Sequence, residues 1–372
     1  MHPIRNELLR RLAVLFLTLL IVPIVSATDW IYRVRPHDSL RDFSRRYMRP
    51  DVPWQKLRDY NNITDPYHLP PDMLLHVPIA WLRVQPVNAR VMAVIGNAHV
   101  QQPGQAHAIP VTSGMTLGCG SRLTTDANAS LTLQFADGSR VLMEERSELD
   151  LDQMSAYGRT GMVDTRLRLQ HGRVSNAVTP MTGAAAHFSV ETPGTISTVR
   201  GTHFRVEEND GHEQTDVLTG RVDVASDHAD VLVQKGRGEE VADGSLPPQP
   251  QPLLPAPTLR CPLQPVSQRP YAFAWVALDG AKSYRVQMAL NDRFEALLLD
   301  SVTSATHISL PDVPNGDYAV RVHGMDSSVL EGEDSVACVL HISGHSQGNT
   351  LSYDAPDGSG IVKTLSDGPA TQ

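Results

Sequence analysis

"TPGTISTVRGTHFRV", residues 192–206, contains an alternation and an interruption. Phe204 and Val206 alternate with polar neighbours, the period-two pattern of a strand with one buried face. The stretch therefore reads as two short strands joined at Arg200-Gly201. Two readings of that joint are open. In one, Gly201 supplies a bend or bulge, and the planar fork of Arg200 satisfies carbonyls or a carboxylate where the ladder breaks. In the other, Arg200 contacts a ligand. Either way a buried guanidinium needs a partner, because an unpaired buried charge is costly.

The same grammar extends outward from 88 to 242. In "LTLQFADGSRVLM" (131–143), Leu131, Leu133 and Phe135 alternate ahead of an Asp137-Gly138 turn, and Val141 follows, which predicts a hairpin. A looser unit recurs as "LQHGRV" (169–174), "LTGRV" (218–222) and "VQKGRG" (233–238). Such units suit a rolled or stacked β-structure whose strands reverse at glycines. The acidic run "MEERSELDLDQM" (143–154) reads as a strand with a solvated face, because Leu149 and Leu151 alternate with acids. The region resembles the FecR-type domain of bacterial envelope regulators. The resemblance rests on Thr-Pro, then Val199-Arg200-Gly201-Thr202 with Phe204, then the "TDVLTGRVDV" strand.

Residues 30–82 predict a compact βααβ module. Ile31 to Val34 opens a strand. Ser39 caps a helix carrying Leu40, Phe43 and Tyr47, and Asp42 completes a weak capping box. Trp54, Leu57 and Tyr60 share a face of a second helix and are expected in the core. Leu75 and Val77 alternate in a closing strand. Tyr32-Arg33-Val34, Pro36-His37-Asp38-Ser39-Leu40, Leu57 to Asn61 and Pro71 to Pro78 together resemble a LysM module. That resemblance implies binding to N-acetylglucosamine-containing glycan, chiefly peptidoglycan, in a groove between two loops. Its residues here would be Pro36, His37, Asp38, Ser39, Leu40, Asn62, Ile63, Thr64 and Asp65. His37 and Asp72 stand where the family usually has glycine, which permits positive φ.

"SLPPQPQPLLPAP" (245–257) has six prolines in thirteen residues and predicts a polyproline II spacer within a 243–258 linker. From 259 to 343, "YAFAWVAL", "YRVQMAL", "HISL" and "YAVRVHGM" are alternating strands of a small sandwich. Tyr318 follows a Pro-x-Gly corner like a tyrosine corner, and the segment resembles a fibronectin type III-like domain. Cys261 and Cys338 bracket it and could pair outside the cytoplasm, leaving Cys119 free. Three reduced cysteines are the other reading.

The 372 residues carry a net charge of −9, 20% charged residues, 27 prolines and 26 glycines. This favours a loop-rich, strand-rich chain over a general nucleic-acid binder. Residues 1–27 read as an export signal: Arg5, Arg10 and Arg11 precede a short apolar core, and Val25-Ser26-Ala27 offers a cleavage site. An uncleaved membrane anchor is the other reading. The mature chain would have no membrane span. The tail, 344–372, is rich in Ser, Gly, Asp and Thr and is expected to be disordered. No GxSxG, HExxH, P-loop or Cys/His cluster is present, so no catalytic residue, metal or cofactor is expected.

The expectation is a mainly β multidomain protein: a small βααβ LysM module, a FecR-like β-roll or sandwich, and a fibronectin type III-like sandwich. It would be exported to the periplasm, bind peptidoglycan and present its β-domains to an envelope protein partner. An accessory regulator or sensor in envelope signalling is one alternative. An unrecognised wall-remodelling enzyme is another.

Overall fold

The computed structural model describes residues 29–343 apart from 228, 243 and 329. The expected export signal (1–27) and disordered tail (344–372) lie outside the described residues. No helix among the described residues is long and apolar enough to cross a membrane.

The N-terminal module pairs β1 (Asp29–Arg33) antiparallel with β2 (Leu74–Pro78). Between them lie α1 (Leu40–Tyr47) and α2 (Trp54–Tyr60). Ser39 Oγ accepts from the Asp42 N–H at 3.2 Å, which supplies the cap expected of it. Leu40, Phe43, Tyr47, Leu57, Leu75 and Val77 close the core. Asn61 ties α2 to β2: its amide donates to Leu57 O and His76 O, and its Oδ1 accepts from His76 N–H at 2.7 Å. Tyr60 is not a core residue. It is 44% exposed and its hydroxyl donates to Asp29, because α2 is only seven residues long and its last turn emerges at the edge.

The β-domain is a flattened barrel of two sheets that close into one ladder. The long strand Val163–Ala177 belongs to both. Its first part pairs with Glu148–Tyr157 and, in parallel, with His187–Glu191. Its second part pairs with Arg140–Met143 and His203–Asn209. The transfer occurs at Gly172, whose φ of +89° and approach to Ser147 leave no room for a Cβ. Thus the unit "LQHGRV" is a crossing between sheets, whereas Gly220 and Gly236 stand in turns. Leu131, Leu133, Phe188, Phe204, Val206 and Val222 fill the space between the sheets. Each such buried side chain contributes about 1.5–3 kcal/mol relative to exposure.

The C-terminal domain has a four-stranded sheet in the order Leu297–Thr303, Ser283–Ala289, Gly316–Met325, Cys338–Ile342. A pair, Ala272–Ala274 with His307–Ser309, covers one face. Trp275, Tyr284, Val286 and Val320 lie in the core between them. Tyr318 is 1% exposed, and its hydroxyl donates to Pro314 O at 2.7 Å. Cys261 and Cys338 are joined by a disulfide, with Cα atoms 5.7 Å apart. Cys119 is free and half-buried; its sulfur accepts from Met154 N–H.

The other face of this four-stranded sheet is buried as well, against the outer face of the barrel. Arg285, Gln287, Arg321 and His323 alternate with the apolar core residues of their strands, yet all four point into protein. Arg173 Nη1 donates to Glu144 at 2.9 Å, and its Nη2 donates to Glu331. Arg285 Nε reaches Glu331 at 2.6 Å. Arg205 donates to Gly332 O and Asp334, and His323 lies between Glu331 and Asp334. Leu142 packs with Ala289, Phe294 and Leu297 across the same seam. Glu144 is therefore 2% exposed, not on a solvated face as the acidic run suggested.

The proline-rich stretch is not a free spacer. Gln251–Pro252 pairs with Arg237–Ala242, Leu253 is buried with Leu218 and Leu330, and Leu254 O accepts from Glu333 N–H. Leu253 and Leu254 supply apolar surface that an extended solvated spacer would leave in water.

Burial alone would raise the Glu331 and Asp334 carboxyls, but Arg173 and Arg285 around the first, and Arg205 and Arg321 around the second, hold both well below the ordinary range. Asp300 is likewise held at about 2, chiefly by Arg285 against the effect of burial. Burial, helped by Asp300, pushes Glu144 to about 8, so it carries the proton it shares with Asp300. Burial also lifts Asp216 to about 7 and Glu239 to about 8.

Replacing one partner strands the others. Glu331→Ala is expected to cost about 3–5 kcal/mol in urea unfolding of the full chain; a cost below about 1 kcal/mol would contradict a buried network. The raised acids bind protons on folding, so their contribution is complete below about pH 4.5 and lost as pH rises through 7 to 8. The depressed acids contribute above the ordinary carboxylate range and lose that contribution in acid. His203, lowered to about 4 by burial, opposes the raised acids only below pH 6.5. Melting temperature should therefore rise from pH 8 to pH 6.5 and fall below pH 4, as read by circular dichroism.

Candidate functional site: the loops of the N-terminal module

Two loops meet at the N-terminal end of α1. The Leu40 N–H donates to Pro66 O at 3.1 Å and bridges them. Asp38 organises the first loop: its Oδ2 accepts from the Tyr32 hydroxyl at 2.7 Å and from the Arg35 N–H at 2.8 Å. Burial, then that bond to Asp38, pushes Tyr32 up to about 12. Asp65 organises the second loop by accepting from the N–H groups of Tyr67 and His68. Asp38, Ser39, Leu40 and Asp65 thus hold the loops in shape, and Leu40 is fully buried.

Pro36, His37, Asn62 and Thr64 are exposed, and Ile63 is half-buried against the module's core. His37 and Asp72 adopt φ of +69° and +66°, so both positions demand the left-handed backbone that glycine adopts without cost. Asn62 does the same at +53°. The His37 imidazole is exposed and forms no side-chain hydrogen bond among the described residues. One residue was missed from the sequence: Tyr67, 65% exposed, closes the second loop and offers a flat apolar face beside it. Its signal was an aromatic in "DPYHLPP", outside any helical or strand period.

The module is seated on the β-domain by its other end. Arg83 N–H, in the segment leading into the β-domain, donates to Tyr47 O, and Gly158 lies against Tyr47. Met162 and Ala186 of the β-domain join the module's core. Since α1 runs from Leu40 at the loops to Tyr47 at this seam, about 12 Å separates the two ends. At the loop end Pro36, His37, Asn62 and Thr64 are exposed among the described residues.

The Arg200–Thr202 corner divides its labour differently from the first reading above. Gly201 has φ +109°, and a Cβ there would sit 2.6 Å from Pro180 Cα. Thr202 Oγ1 donates to Arg221 O and its carbonyl accepts from Val178 N–H. Arg200 is exposed, and its guanidinium makes one long bond, 3.4 Å to Gly183 O. The buried arginine of the motif is Arg205, 2% exposed. Among the described residues no group of three or more His, Cys, Asp or Glu side chains could hold a metal.

His37→Gly should raise stability by up to about 1 kcal/mol, because it relieves a non-glycine residue at positive φ, and His37→Val should lower it by about 1–2 kcal/mol. Thermal melts of the full chain check the order; a more stable valine variant would contradict the backbone geometry.

A family model described as LysM domain matches residues 32–78, and one described as FecR protein matches residues 121–223. No curated protein matches the chain. Among solved structures, one described as an anti-sigma factor from Parabacteroides distasonis ATCC 8503 is 16% identical, with a TM-score of 0.29, over 34% of this chain and 59% of that one. The extracellular domain of the hybrid two component system BT4673 from B. thetaiotaomicron is 7% identical, with a TM-score of 0.17, over 76% of this chain and 64% of that one. The chain thus spans less than two thirds of either structure's length. It carries a LysM domain at 32–78 and a FecR domain at 121–223, both of them binding or regulatory modules rather than catalytic ones.

Proposed function

We propose that this is a non-catalytic envelope protein that holds N-acetylglucosamine-containing glycan, peptidoglycan in the first instance, between the two loops of its LysM domain. One observation carries the reading: the loops are braced by Leu40 N–H to Pro66 O while the domain's opposite end is the one seated on the barrel. Backbone amides and carbonyls at Pro36–His37 and Asn62–Thr64 would grip an acetamido group, and Ile63 and Tyr67 would cover apolar sugar surface. The FecR domain and the C-terminal sandwich, read as fibronectin type III-like from its strand pattern and the Tyr318 corner, are then carried as one body for a partner in the periplasm. The export signal at 1–27 belongs to this proposal.

The test is co-sedimentation of the full mature chain with purified sacculi. Pro36→Glu and Thr64→Asp, both at exposed loop positions, should lower the bound fraction at least severalfold and leave the melting temperature within a degree or two. Equal sedimentation of wild type and the double variant would defeat the tether. An accessory signalling role is the second reading, favoured by the FecR domain. It predicts that the protein's loss alters envelope gene expression and that Pro36→Glu/Thr64→Asp protein restores it.

A further inference from the structure

An open cleft of about 660 Å3 lies at the Arg200–Thr202 corner, lined by Arg200, Arg221, Lys235, Asp223, Thr198 and Gln234 among others. Elsewhere on this sheet the arginines are neutralised: Arg122 by Asp150, Arg166 by Asp164, Arg168 by Asp152 and Glu191. At the corner they are not. Arg200 has its single long bond to Gly183 O, and the Arg221 and Lys235 side chains have no hydrogen-bond or ion-pair partner among the described residues. Three cations against one carboxylate make a positive pocket on an acidic chain.

Strand register extends the pocket into a surface. Ile196 lies opposite Ala225, Thr198 opposite Asp223, and Asp223 opposite Leu232. Val222, Val224 and Val233 point into the core, so Arg221, Asp223, Ala225, Leu232 and Gln234 share the outer face. On it Ile196 and Leu232 are 41% and 42% exposed, one or two residue rows from the cations. A sheet face with an apolar strip beside unpaired guanidiniums matches one ligand chemistry.

We propose that this face binds an extended acidic peptide segment of a partner protein. Its carboxylates pair with Arg200, Arg221 and Lys235, and an apolar side chain two to four residues further along rests on Ile196 and Leu232. Guanidinium forks fit carboxylates bidentately, and alternate side chains of an extended peptide fall in step with rows on the sheet. This site is independent of the glycan loops.

The experiment measures fluorescence anisotropy of a labelled Glu-Val-Glu-Val-Glu-Val peptide with the full mature chain, against the same peptide with Gln for Glu. The acidic peptide should bind saturably. Arg221→Gln with Lys235→Gln should weaken it about tenfold. Leu232→Ser should weaken it severalfold, and Thr64→Asp should not change it. All four positions are exposed, so melting temperatures should stay near wild type. Equal binding of the Gln peptide, or an unaffected Arg221/Lys235 double variant, overturns the proposal. So does displacement by millimolar inorganic phosphate without any effect of Leu232→Ser, which would mark a small-anion pocket.

Discussion

The constraint on which the molecule depends is a sheet-on-sheet contact centred on ions, with small apolar clusters at Leu142 and Leu253 beside them. The outer face of the barrel supplies Arg173, Arg205 and Glu144, and the outer face of the C-terminal sheet supplies Arg285, Arg321 and His323. The segment 330–335 enters between them, and two of its three acids, Glu331 and Asp334, satisfy cations from both sides. Such a contact adds little net stability over a well-packed apolar one, because both partners give up hydration. What it contributes here is geometry: five cationic or imidazole groups fit around Glu144, Asp300, Glu331 and Asp334 in one arrangement, and a shift of either sheet leaves a buried charge unpaired.

That arrangement turns a row of modules into one body. The LysM domain is seated on the barrel through Tyr47, Met162 and Ala186. The proline-rich stretch runs along the seam and hydrogen-bonds to both neighbours. The loop end of the LysM domain therefore keeps one attitude to everything behind it. The face bearing Arg200, Arg221 and Leu232 is carried at a fixed attitude rather than on a swinging tether.

Much of this was legible in the sequence. Strand alternation at Leu131, Leu133 and Phe135, the Asp137-Gly138 turn and the Ser39 cap follow from local rules and all concern short-range choices. His37 and Asp72 were recognisable as positions wanting glycine from the resemblance to the LysM pattern, and both adopt positive φ. The polar interface was not legible. Arg173, Arg205, Arg285 and Arg321 occupy the non-core positions of their strands, and alternation gives the same pattern for a face in water and a face buried against other ions. The role of Arg200 was open for the same reason: the residue before a sharp corner points either into protein or out, and only the path of the chain past Pro180 decides it.

The central claim is that barrel and C-terminal sandwich unfold as a unit because Glu331 and Asp334 bind them together. Differential scanning calorimetry of the full mature chain at pH 6.5 tests it most directly. The account predicts one transition covering both domains, with matching calorimetric and van't Hoff enthalpies, that separates into two when Glu331 and Asp334 are both replaced by alanine. Two well-separated transitions in the unmodified chain would contradict it.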